Sequence, residues 1–456
     1  MSTLSANLPD RPLAVIVLAA GKGTRMRSTL HKVLHPIAGR PMLLTLLAGV
    51  AELAPARTVV VTGAGREQIE AALAGSGVVV AHQAEQLGTG HAVAQARDAL
   101  AGFAGDVLVL YGDVPLVTAA TMRRMLDRLH AADDPATVVL GFRPDDPAAY
   151  GRVVAAADGR IDRMVEFKDA SPEERAVTLC NSGLMAASAE ELFGWLERVG
   201  NDNAAGEYYL PDVVMLAGRP SAVIETAAGE VAGVNSRGEL AVLEAAWQAA
   251  RRAAAMAAGA TLVAPETVFF SHDTLLGLDV VVEPNVVFGL GVKVADGATI
   301  RAFSHLEGAT VATGCEVGPY ARLRPGTVLE AGAKIGNFVE VKKATLGPGA
   351  KANHLSYLGD ATIGAGANIG AGTITCNYDG FFKYRTSIGE GAFIGSNSAL
   401  VASVTIGAGA IVGAGSVVTQ DVPADALALV RPPQTAREGW AARFRAAMKA
   451  RKAAAK

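Results

Sequence analysis

The sequence predicts an α/β protein in two parts, with a parallel sheet covered by helices followed by a parallel β-helix. In residues 1–237, continuous apolar strands alternate with helical stretches, which is typical of a parallel sheet buried on both faces. After Gly259, aliphatic residues recur every six positions over a long stretch, which is the period of a β-helix built from hexapeptide repeats.

Composition excludes several classes of protein. The chain has 456 residues, half of them hydrophobic, which is enough for two or three domains. A net charge of -3 gives no overall attraction to nucleic acid. Cys180, Cys315 and Cys376 form no C-x-x-C pair, so we expect neither a disulfide framework nor a zinc site, and the chain suits a reducing cytoplasm. No stretch reaches the roughly 18 apolar residues that a membrane helix needs.

The N-terminal domain, residues 1–237, begins with a strand that leads into a glycine-rich loop, "LAAGKGTRM". Further strands are predicted from "TVVVTG", "GVVVAHQ" and "DVLVLYGD", and a helix from "REQIEAALAG". The loop is not a P-loop, because Ile16 and Gly23 stand where Gly and Ser or Thr are required, and Met26 replaces the third Gly of a dinucleotide fingerprint. Ligands of parallel sheets bind beyond the carboxyl ends of the strands, where the loop and Asp113 both lie.

A linker helix is predicted over residues 238–258. Ser236 and Glu239 form a possible capping box, and Gly259 is a plausible stop. The positions predicted to share one apolar face are Leu240, Leu243, Trp247 and Ala250.

The C-terminal domain, residues 259–456, carries the hexapeptide period. The aliphatic positions are Val311, Val317, Leu323, Leu329, Ile335 and Val341, and later Ile388, Ile394, Leu400, Ile406, Val412 and Val418. The stretch "CNYDGFFKYRT" interrupts the period between Thr375 and Ser387. Because solenoids push insertions out as loops, commonly on the binding face, we expect this loop to be functional. The tail after Arg437 is predicted as a solvated helix.

Two sets of motifs carry a resemblance to a known family. "LAAGKGTRM", "KVLH", "QAEQLGTGHAV", "LYGDVPL", "YGRVV", "VEFKDA" and "GEYYLPD" resemble a sugar-phosphate nucleotidyltransferase, and "ARLRPGT", "GNFVEVKKA", "NHLSYLGD", "NIGAGTITCNYDG" and "RPPQTAREGW" resemble a hexapeptide acyltransferase. In this order they resemble the bacterial bifunctional N-acetylglucosamine-1-phosphate uridyltransferase/glucosamine-1-phosphate acetyltransferase family, from about Leu13 to Trp440. Ser182 departs from the Thr that is usual in that family.

The resemblance implies an architecture and a function. We expect a Rossmann-like nucleotidyltransferase domain, a linker helix and a left-handed β-helix, assembled as a cytoplasmic homotrimer with acetyl sites between neighbouring prisms. The C-terminal domain would acetylate glucosamine 1-phosphate from acetyl-CoA. The N-terminal domain would then transfer UMP from UTP to N-acetylglucosamine 1-phosphate, releasing pyrophosphate. The product would feed peptidoglycan and lipopolysaccharide synthesis, with neither nucleic acid nor membrane as a partner.

The resemblance also implies the first active site. Arg25 and Lys32 are expected to act as catalytic cations on the phosphates, since nucleotidyl transfer needs mainly positioning and charge stabilisation. Asp113 and Asn235 are expected to hold Mg²⁺, which prefers one or two protein oxygens. The residues expected to bind UTP or UDP-N-acetylglucosamine are Leu18, Ala19, Ala20, Gly21, Lys32, Gln83, Gly88, Thr89, Tyr111, Gly112, Asp113, Gly151, Glu166, Asn181 and Asn235.

In the second site the resemblance implies that His354 is the base, because a histidine pKa of about 6.5 suits the removal of a proton from an amine. Glu340 is expected to orient the site. The residues expected at the sugar phosphate are Arg324, Lys342, Tyr357 and Asn368. Those expected at acetyl-CoA are Ala371, Asn377, Tyr378, Ser396, Ala414 and Arg431.

Two other functions fit part of the pattern. One is a different sugar-1-phosphate nucleotidyltransferase with a β-helix tail, such as a glucose-1-phosphate adenylyltransferase, which His354 and the inserted loop disfavour. The other is a regulatory subunit of the same architecture, as in eukaryotic initiation-factor exchange complexes, which Arg25, Lys32 and Asp113 disfavour.

Overall fold

The computed structural model describes residues 11–455 of the chain. They form two compact units, which divide between Arg251 and Arg252. The N-terminal unit is built around a mixed sheet, and the C-terminal unit around three parallel sheets.

The N-terminal unit alternates strands and helices. Its strands are β1 (Leu13–Ala19), β2 (Pro36–Ile37), β3 (Arg40–Pro41), β4 (Arg57–Thr62), β5 (Val79–His82), β6 (Asp106–Tyr111), β7 (Thr137–Phe142), β8 (Arg152–Ala155), β9 (Ile161–Val165), β10 (Cys180–Ser188) and β11 (Ala222–Thr226). Its helices are α1 (Met42–Ala51), α2 (Arg66–Leu73), α3 (Thr89–Ala94), α4 (Ala119–Leu129), α5 (Pro172–Arg175), α6 (Ala189–Leu196) and α7 (Asp212–Leu216). Short 3-10 turns cover Thr24–Met26, Lys32–Leu34, Asp98–Leu100 and Ala228–Glu230.

The main sheet has the strand order β11-β7-β10-β6-β1-β4-β5. The strands predicted from the apolar runs are confirmed, and β1 is parallel to both β4 and β6. Alternate residues of β1 enter two different cores: Ile16 lies in one and Val17 in the other. This two-sided burial explains why the strand is apolar at every position. The strand β10 was not predicted, and it runs antiparallel between β6 and β7, so the sheet is mixed.

The predicted linker helix is present as α8 (Arg237–Ala257). Its capping box is confirmed, because the Ser236 hydroxyl accepts from the Glu239 backbone N–H and the Glu239 carboxylate accepts from the Ser236 N–H. Leu243 is buried as predicted. Ala250 is exposed, whereas Gln248 is 2% exposed, so the buried stripe departs from the predicted one in the last turns.

The C-terminal unit is a left-handed parallel β-helix with three flat faces. Face 1 contains Thr261–Leu262, Val281–Val282, Thr299–Ile300, Glu316–Val317, Lys334–Asn337, Lys351–His354, Asn368–Ile369, Phe393–Ile394, Ile411–Val412 and Leu427–Ala428. Face 2 contains Val287–Phe288, His305–Leu306, Arg322–Leu323, Glu340–Lys342, Tyr357–Gly359, Ile374–Cys376, Ala399–Val401 and Val417–Val418. Face 3 contains Leu275–Leu276, Lys293–Val294, Ala309–Val311, Thr327–Leu329, Thr345–Leu346, Ala361–Ile363, Thr386–Ile388 and Thr405–Ile406. A 3-10 turn covers Pro265–Thr267.

The predicted hexapeptide positions form the interior of this prism. Ile335 is 1% exposed and Leu400 is fully buried, and the other aliphatic positions of the period are buried likewise. The inserted loop leaves the prism where face 2 turns into face 3, between Cys376 and Thr386. The tail forms the exposed helix α9 (Trp440–Ala454). Within residues 11–455, no helix is long and apolar enough to cross a bilayer.

Candidate active sites

A cleft of about 300 Å³ opens at the carboxyl ends of β1 and β6 in the N-terminal unit. The glycine-rich loop after β1 and Asp113, which follows β6, both line it. The predicted residues that line it are Leu18, Ala19, Ala20, Gly21, Lys32, Gln83, Gly88, Thr89, Tyr111 and Asp113. The structure therefore brings together ten of the fifteen residues expected to bind the nucleotide sugar.

Gly23 allows the loop to fold over Lys32. Its φ is +60°, and a Cβ at this position would stand 2.5 Å from the Lys32 Cβ. Any other residue would be strained in this conformation and would push the lysine away. Gly23 therefore fixes the cation at the end of the cleft.

Gln83 also lines the cleft, and its side chain is held by two contacts. It is 3% exposed, its amide Nε2 donates to the Gly88 carbonyl at 3.1 Å, and it lies 3.0 Å from the His91 Nδ1. His91 thus helps to orient the amide. Gln86 donates to the Ala20 carbonyl and ties the loop to this wall. An amide fixed in this way can read the polar edge of a base.

Lys32, Asp113 and Asn235 converge on one point. The Lys32 ammonium donates to the Asp113 carboxylate and, at 3.2 Å, to the Asn235 side-chain oxygen. The side chains of Lys32 and Asp113 are only 11% and 16% exposed. Both oxygens therefore face the same cation, which is the arrangement that a hard metal ion also requires.

Within the described residues, no group of three or more His, Cys, Asp or Glu side chains could hold a metal ion. A metal at Asp113 and Asn235 would therefore take its remaining ligands from phosphates and water, as Mg²⁺ commonly does. The donor set fits this ion, since a carboxylate and an amide oxygen are hard ligands.

A second group of predicted residues lies together beside the cleft. A Cβ on Gly151 would stand 3.1 Å from the Glu166 Oε1, and the Asn181 backbone N–H donates to the Gly151 carbonyl at 2.9 Å. Burial raises the pKa of the Glu166 carboxyl, and nearby carboxylates raise it further. The Ser182 hydroxyl donates to the Leu140 carbonyl at 2.6 Å, so it forms a hydrogen bond between β10 and β7.

Tyr111 is partly buried beside the cleft, and this burial raises the pKa of its hydroxyl. Its ring packs against Gly183, a residue that the sequence reasoning missed. The φ of Gly183 is +87°, and a Cβ there would stand 2.7 Å from the ring. Gly112 donates its N–H to the Leu18 carbonyl at 2.9 Å and joins the ends of β1 and β6.

Arg25 is the predicted catalytic residue that the structure does not bring into the cleft. It lies exposed in the turn Thr24–Met26 and does not line the cavity. Its role on the outgoing phosphates stays a prediction.

The second candidate site lies on face 2 of the β-helix. The Arg324 guanidinium donates to the Glu340 carboxylate at 2.8 Å, which agrees with an orienting role for Glu340. Strand pairing aligns Glu340 with Tyr357 and Lys342 with Gly359 in the next coil. Three of the four predicted sugar-phosphate residues therefore share one face.

Lys383 is a further cation that the sequence reasoning missed. The inserted loop brings it beside Lys342, and the close approach of these two ammonium groups lowers the pKa of Lys342. The loop is shaped by Asp379, whose carboxylate accepts from the N–H groups of Phe381 and Phe382 at 2.8 and 2.7 Å. A dianionic phosphate would relieve the repulsion between the lysines.

His354 lies at the corner where face 1 turns into face 2. Its Nδ1 is 2.6 Å from the Asn337 side-chain oxygen, one coil below. In the tautomer that this contact requires, Nδ1 donates and Nε2 is free to accept a proton. Asn337 was not predicted, although its distance of 17 residues from His354 places it in register.

The predicted acetyl-CoA residues continue this corner. On face 1, successive coils place Asn368, Phe393 and Ile411 in register with Lys351. Three positions after these residues stand Ala371, Ser396 and Ala414, just as His354 stands three positions after Lys351. The column from His354 to Ala414 spans roughly 14 Å, since strands are about 4.8 Å apart. Arg431 donates to the Ala414 carbonyl at its far end.

The remaining predicted residues occupy the loop and the other face. The Asn377 amide donates to the Asp360 carboxylate at 2.5 Å, and Tyr378 is 59% exposed. Asn368 is not on face 2: it pairs with Lys351 and Phe393 on face 1. Outward side chains on two faces of a triangular prism diverge, so one chain does not bring Asn368 beside Arg324 and Lys342.

Comparison with known proteins places both halves in one family. A model described as the MobA-like NTP transferase domain matches residues 15–171, and one described as bacterial transferase hexapeptide (six repeats) matches residues 385–420. The chain is 68% identical over 448 residues to the bifunctional protein GlmU of Sphingopyxis alaskensis, covering 98% of this chain and 99% of that protein. The chain belongs to the GlmU family. GlmU of Rhizorhabdus wittichii is 69% identical over 452 residues, covering 98% and 100% of the two chains.

The GlmU relatives confirm the resemblance that the motifs predicted along nearly the whole chain. GlmU of Zymomonas mobilis is 58% identical over 440 residues, covering 95% of this chain and 98% of that protein. A solved structure of a UDP-glucose pyrophosphorylase complexed with UDP-glucose is 18% identical and covers 53% of this chain and 100% of that one. The TM-score of the two structures is 0.42.

Proposed function

We propose that the two sites catalyse consecutive steps in the synthesis of UDP-N-acetylglucosamine. The chain is a bifunctional transferase: its C-terminal unit acetylates glucosamine 1-phosphate from acetyl-CoA, and its N-terminal unit transfers UMP from UTP to N-acetylglucosamine 1-phosphate. The convergence of Lys32, Asp113 and Asn235 at the end of a cleft carries this proposal for the first site.

In the first site the protein positions reactants and supplies charge. Gln83 reads the uracil, the glycine-rich loop approaches the triphosphate, and Glu166 holds the sugar. A phosphate oxygen of the sugar 1-phosphate attacks the α-phosphorus of UTP, and the bond to the pyrophosphate oxygen breaks. Lys32 stabilises the charge that develops there, so no protein nucleophile is required. Mg²⁺, when bound by Asp113 and Asn235, would neutralise further phosphate charge.

In the second site His354 prepares the nucleophile. Asn337 fixes the imidazole by accepting from Nδ1, which leaves Nε2 to take a proton from the ammonium of glucosamine 1-phosphate. The amine then attacks the thioester carbonyl of acetyl-CoA, the carbon–sulfur bond breaks, and the thiolate is protonated to free CoA. Arg324, Lys342 and Lys383 hold the phosphate, and the small residues of the corner column let the pantetheine arm lie along the prism.

The acetyl site is shared between copies in a homotrimer. Asn368 lies on face 1, whereas the phosphate cations lie on face 2. Face 1 of a second copy, placed opposite face 2 of the first, would bring Asn368 to the sugar phosphate.

One assay tests both activities. The purified full chain is given glucosamine 1-phosphate, acetyl-CoA and UTP, and free thiol and pyrophosphate are followed separately. His354→Ala should stop thiol release and preserve pyrophosphate release from supplied N-acetylglucosamine 1-phosphate, and Asp113→Ala should do the reverse. Pyrophosphate release at the wild-type rate by Asp113→Ala, or loss of both activities in a folded His354→Ala protein, would contradict the assignment.

A further inference from the structure

One arginine of the helix α8 contacts two segments of the N-terminal site. The Arg237 guanidinium donates through Nε to the Met26 carbonyl at 3.3 Å, and one of its terminal nitrogens lies 3.2 Å from the His35 Nδ1. Because a guanidinium can only donate, this Nδ1 accepts, and His35 is in its neutral form. Burial lowers the pKa of His35, and the charge of Arg237 lowers it further, which agrees with the neutral form.

These two contacts lie at the ends of the turns that carry the predicted catalytic cations. The turn Thr24–Met26 contains Arg25 and ends at the carbonyl that accepts from the guanidinium. His35 directly follows the turn Lys32–Leu34, and its backbone N–H donates to the Lys32 carbonyl at 3.3 Å. One guanidinium therefore joins the ends of two separate turns, one with Arg25 and the other with Lys32.

The helix that carries Arg237 is anchored to the same part of the N-terminal unit. Leu243 of α8 is buried in one apolar cluster with Met26. One turn further along, the Glu244 carboxylate accepts from the Ala38 backbone N–H at 2.7 Å. A side chain that extends from an anchored helix holds its partners more precisely than one on a loop does.

The start of α8 also places one of the two predicted metal ligands. Asn235 precedes Arg237 by two residues, and its side-chain oxygen accepts from the Lys32 ammonium at 3.2 Å. The chain at the start of this helix therefore reaches the Lys32 turn twice, through the Asn235 side chain and through the contact of Arg237 with His35. Arg237 is not among the residues that line the cleft, so it acts on the site through these neighbours.

We propose that Arg237 is a positioning residue for uridyl transfer. It acts through Met26 and His35, and it sets the turns of Arg25 and Lys32 in their places relative to each other. Such transfer depends mainly on the positioning of charge, and a displacement of about 1 Å can cost about 100-fold in rate. The inference rests on the proposed function, because it assigns Arg237 to the site proposed to transfer UMP.

Arg237→Ala in the full chain tests this role. The variant should lower kcat for pyrophosphate release by about tenfold or more, and should change KM for UTP by less than about threefold. KM is expected to hold because Gln83, which is proposed to read the base, is fixed by contacts that do not involve Arg237. Acetyl transfer should stay at the wild-type rate. Arg198→Ala is the matched control: it also removes a guanidinium bond to a carbonyl, that of Leu216 at 3.1 Å, and should keep the wild-type kcat.

Chemical rescue separates positioning from a loss of folding stability. Because Arg237 is exposed, guanidinium from solution can reach the place that the alanine leaves open. Guanidinium chloride at millimolar concentration should restore part of the kcat of Arg237→Ala, and ammonium chloride at the same concentration should not. Arg237→Lys should stay impaired for the same reason, since an ammonium group does not reproduce the planar fork of a guanidinium.

Variants of the acceptor cover an Arg237→Ala protein that does not fold. His35→Asn keeps an acceptor close to the position of Nδ1 and should retain more of the kcat than His35→Leu, which removes it. An unchanged kcat in folded Arg237→Ala, rescue by ammonium as strong as that by guanidinium, or equal kcat in the two His35 variants would overturn the positioning role and leave the proposed function standing. A wild-type protein that releases no pyrophosphate would instead overturn the proposed function.

Discussion

Replacing Lys32 with methionine tests whether its ammonium and a divalent metal compete for one position. In the described structure this ammonium contacts both oxygens that would hold the metal, those of Asp113 and Asn235. Metal binding must therefore separate Lys32 from Asp113. Lys32→Met keeps an unbranched side chain in place and removes the charge. Metal binding to the variant therefore does not require the free energy of separating an ion pair from Asp113.

The size of the effect follows from the burial of the pair. Exposed ion pairs contribute about 0–1 kcal/mol, and breaking a fully buried pair costs about 3–5 kcal/mol. The side chains of Lys32 and Asp113 are 11% and 16% exposed, which places this pair between the two limits. A value of about 2 kcal/mol corresponds to roughly 30-fold tighter metal binding in the variant.

The assay is a titration of the nucleotide-free enzyme with Mn²⁺, in which free Mn²⁺ is measured by electron paramagnetic resonance. Lys22→Met is the control for net charge, because Lys22 is exposed in the same loop. Asp113→Asn controls for the site and should lose the tight binding. Equal or weaker Mn²⁺ binding by Lys32→Met than by the wild type would refute the competition.

Two further predictions concern pH and the nucleotide. Burial lowers the pKa values of His31 and His35, with further lowering from Lys32 and Arg237 respectively. As the pH falls, these histidines therefore bind protons in the unfolded chain before they do so in the folded protein. Their contribution to the free energy of unfolding should be complete above pH about 6.5 and should decline as the pH falls below it. Urea unfolding at several pH values measures this, and His31→Gln combined with His35→Gln should reduce the dependence of stability on pH. Gln83→Ala should weaken UTP binding by about 1–3 kcal/mol, because a buried polar contact is lost; calorimetry measures it, and equal turnover of ATP and UTP by the wild type would contradict the reading of uracil.

Local periodicity predicted most of the fold, because each pattern reports burial within a single element. Ile16 and Val17 lie in the cores on opposite faces of the sheet, and the uninterrupted apolar run of β1 predicts this burial on both faces. Ile335 shows the same for the prism, since each coil repeats one inward position. The strand β10 escaped prediction because its residues, CNSGLMAAS, are largely small or polar and form no apolar run.

The candidate sites were predictable where motifs carry their residues, and less so where contacts join distant segments. Arg25 belongs to the loop motif, yet its side chain lies outside the cleft. Lys383 reaches Lys342 only because the inserted loop folds back over face 2, and the length of that loop gives no hint of where its cation lies.

Asn337 and Asn368 show which features of the acetyl site the repeat period predicts and which it does not. A coil of this prism advances by 17 or 18 residues, so counting back 17 from His354 reaches Asn337, and the contact follows from the sequence once the period is applied to polar positions. The same count places Asn368 in register with Lys351, on a face different from that of Arg324. Asn368 and Arg324, which the proposed acetyl site assigns to one small substrate, therefore lie on different faces of a single chain. This separation supports the proposal that the acetyl site is built between copies, because a second chain would bring Asn368 to the cations that the proposal places at the sugar phosphate.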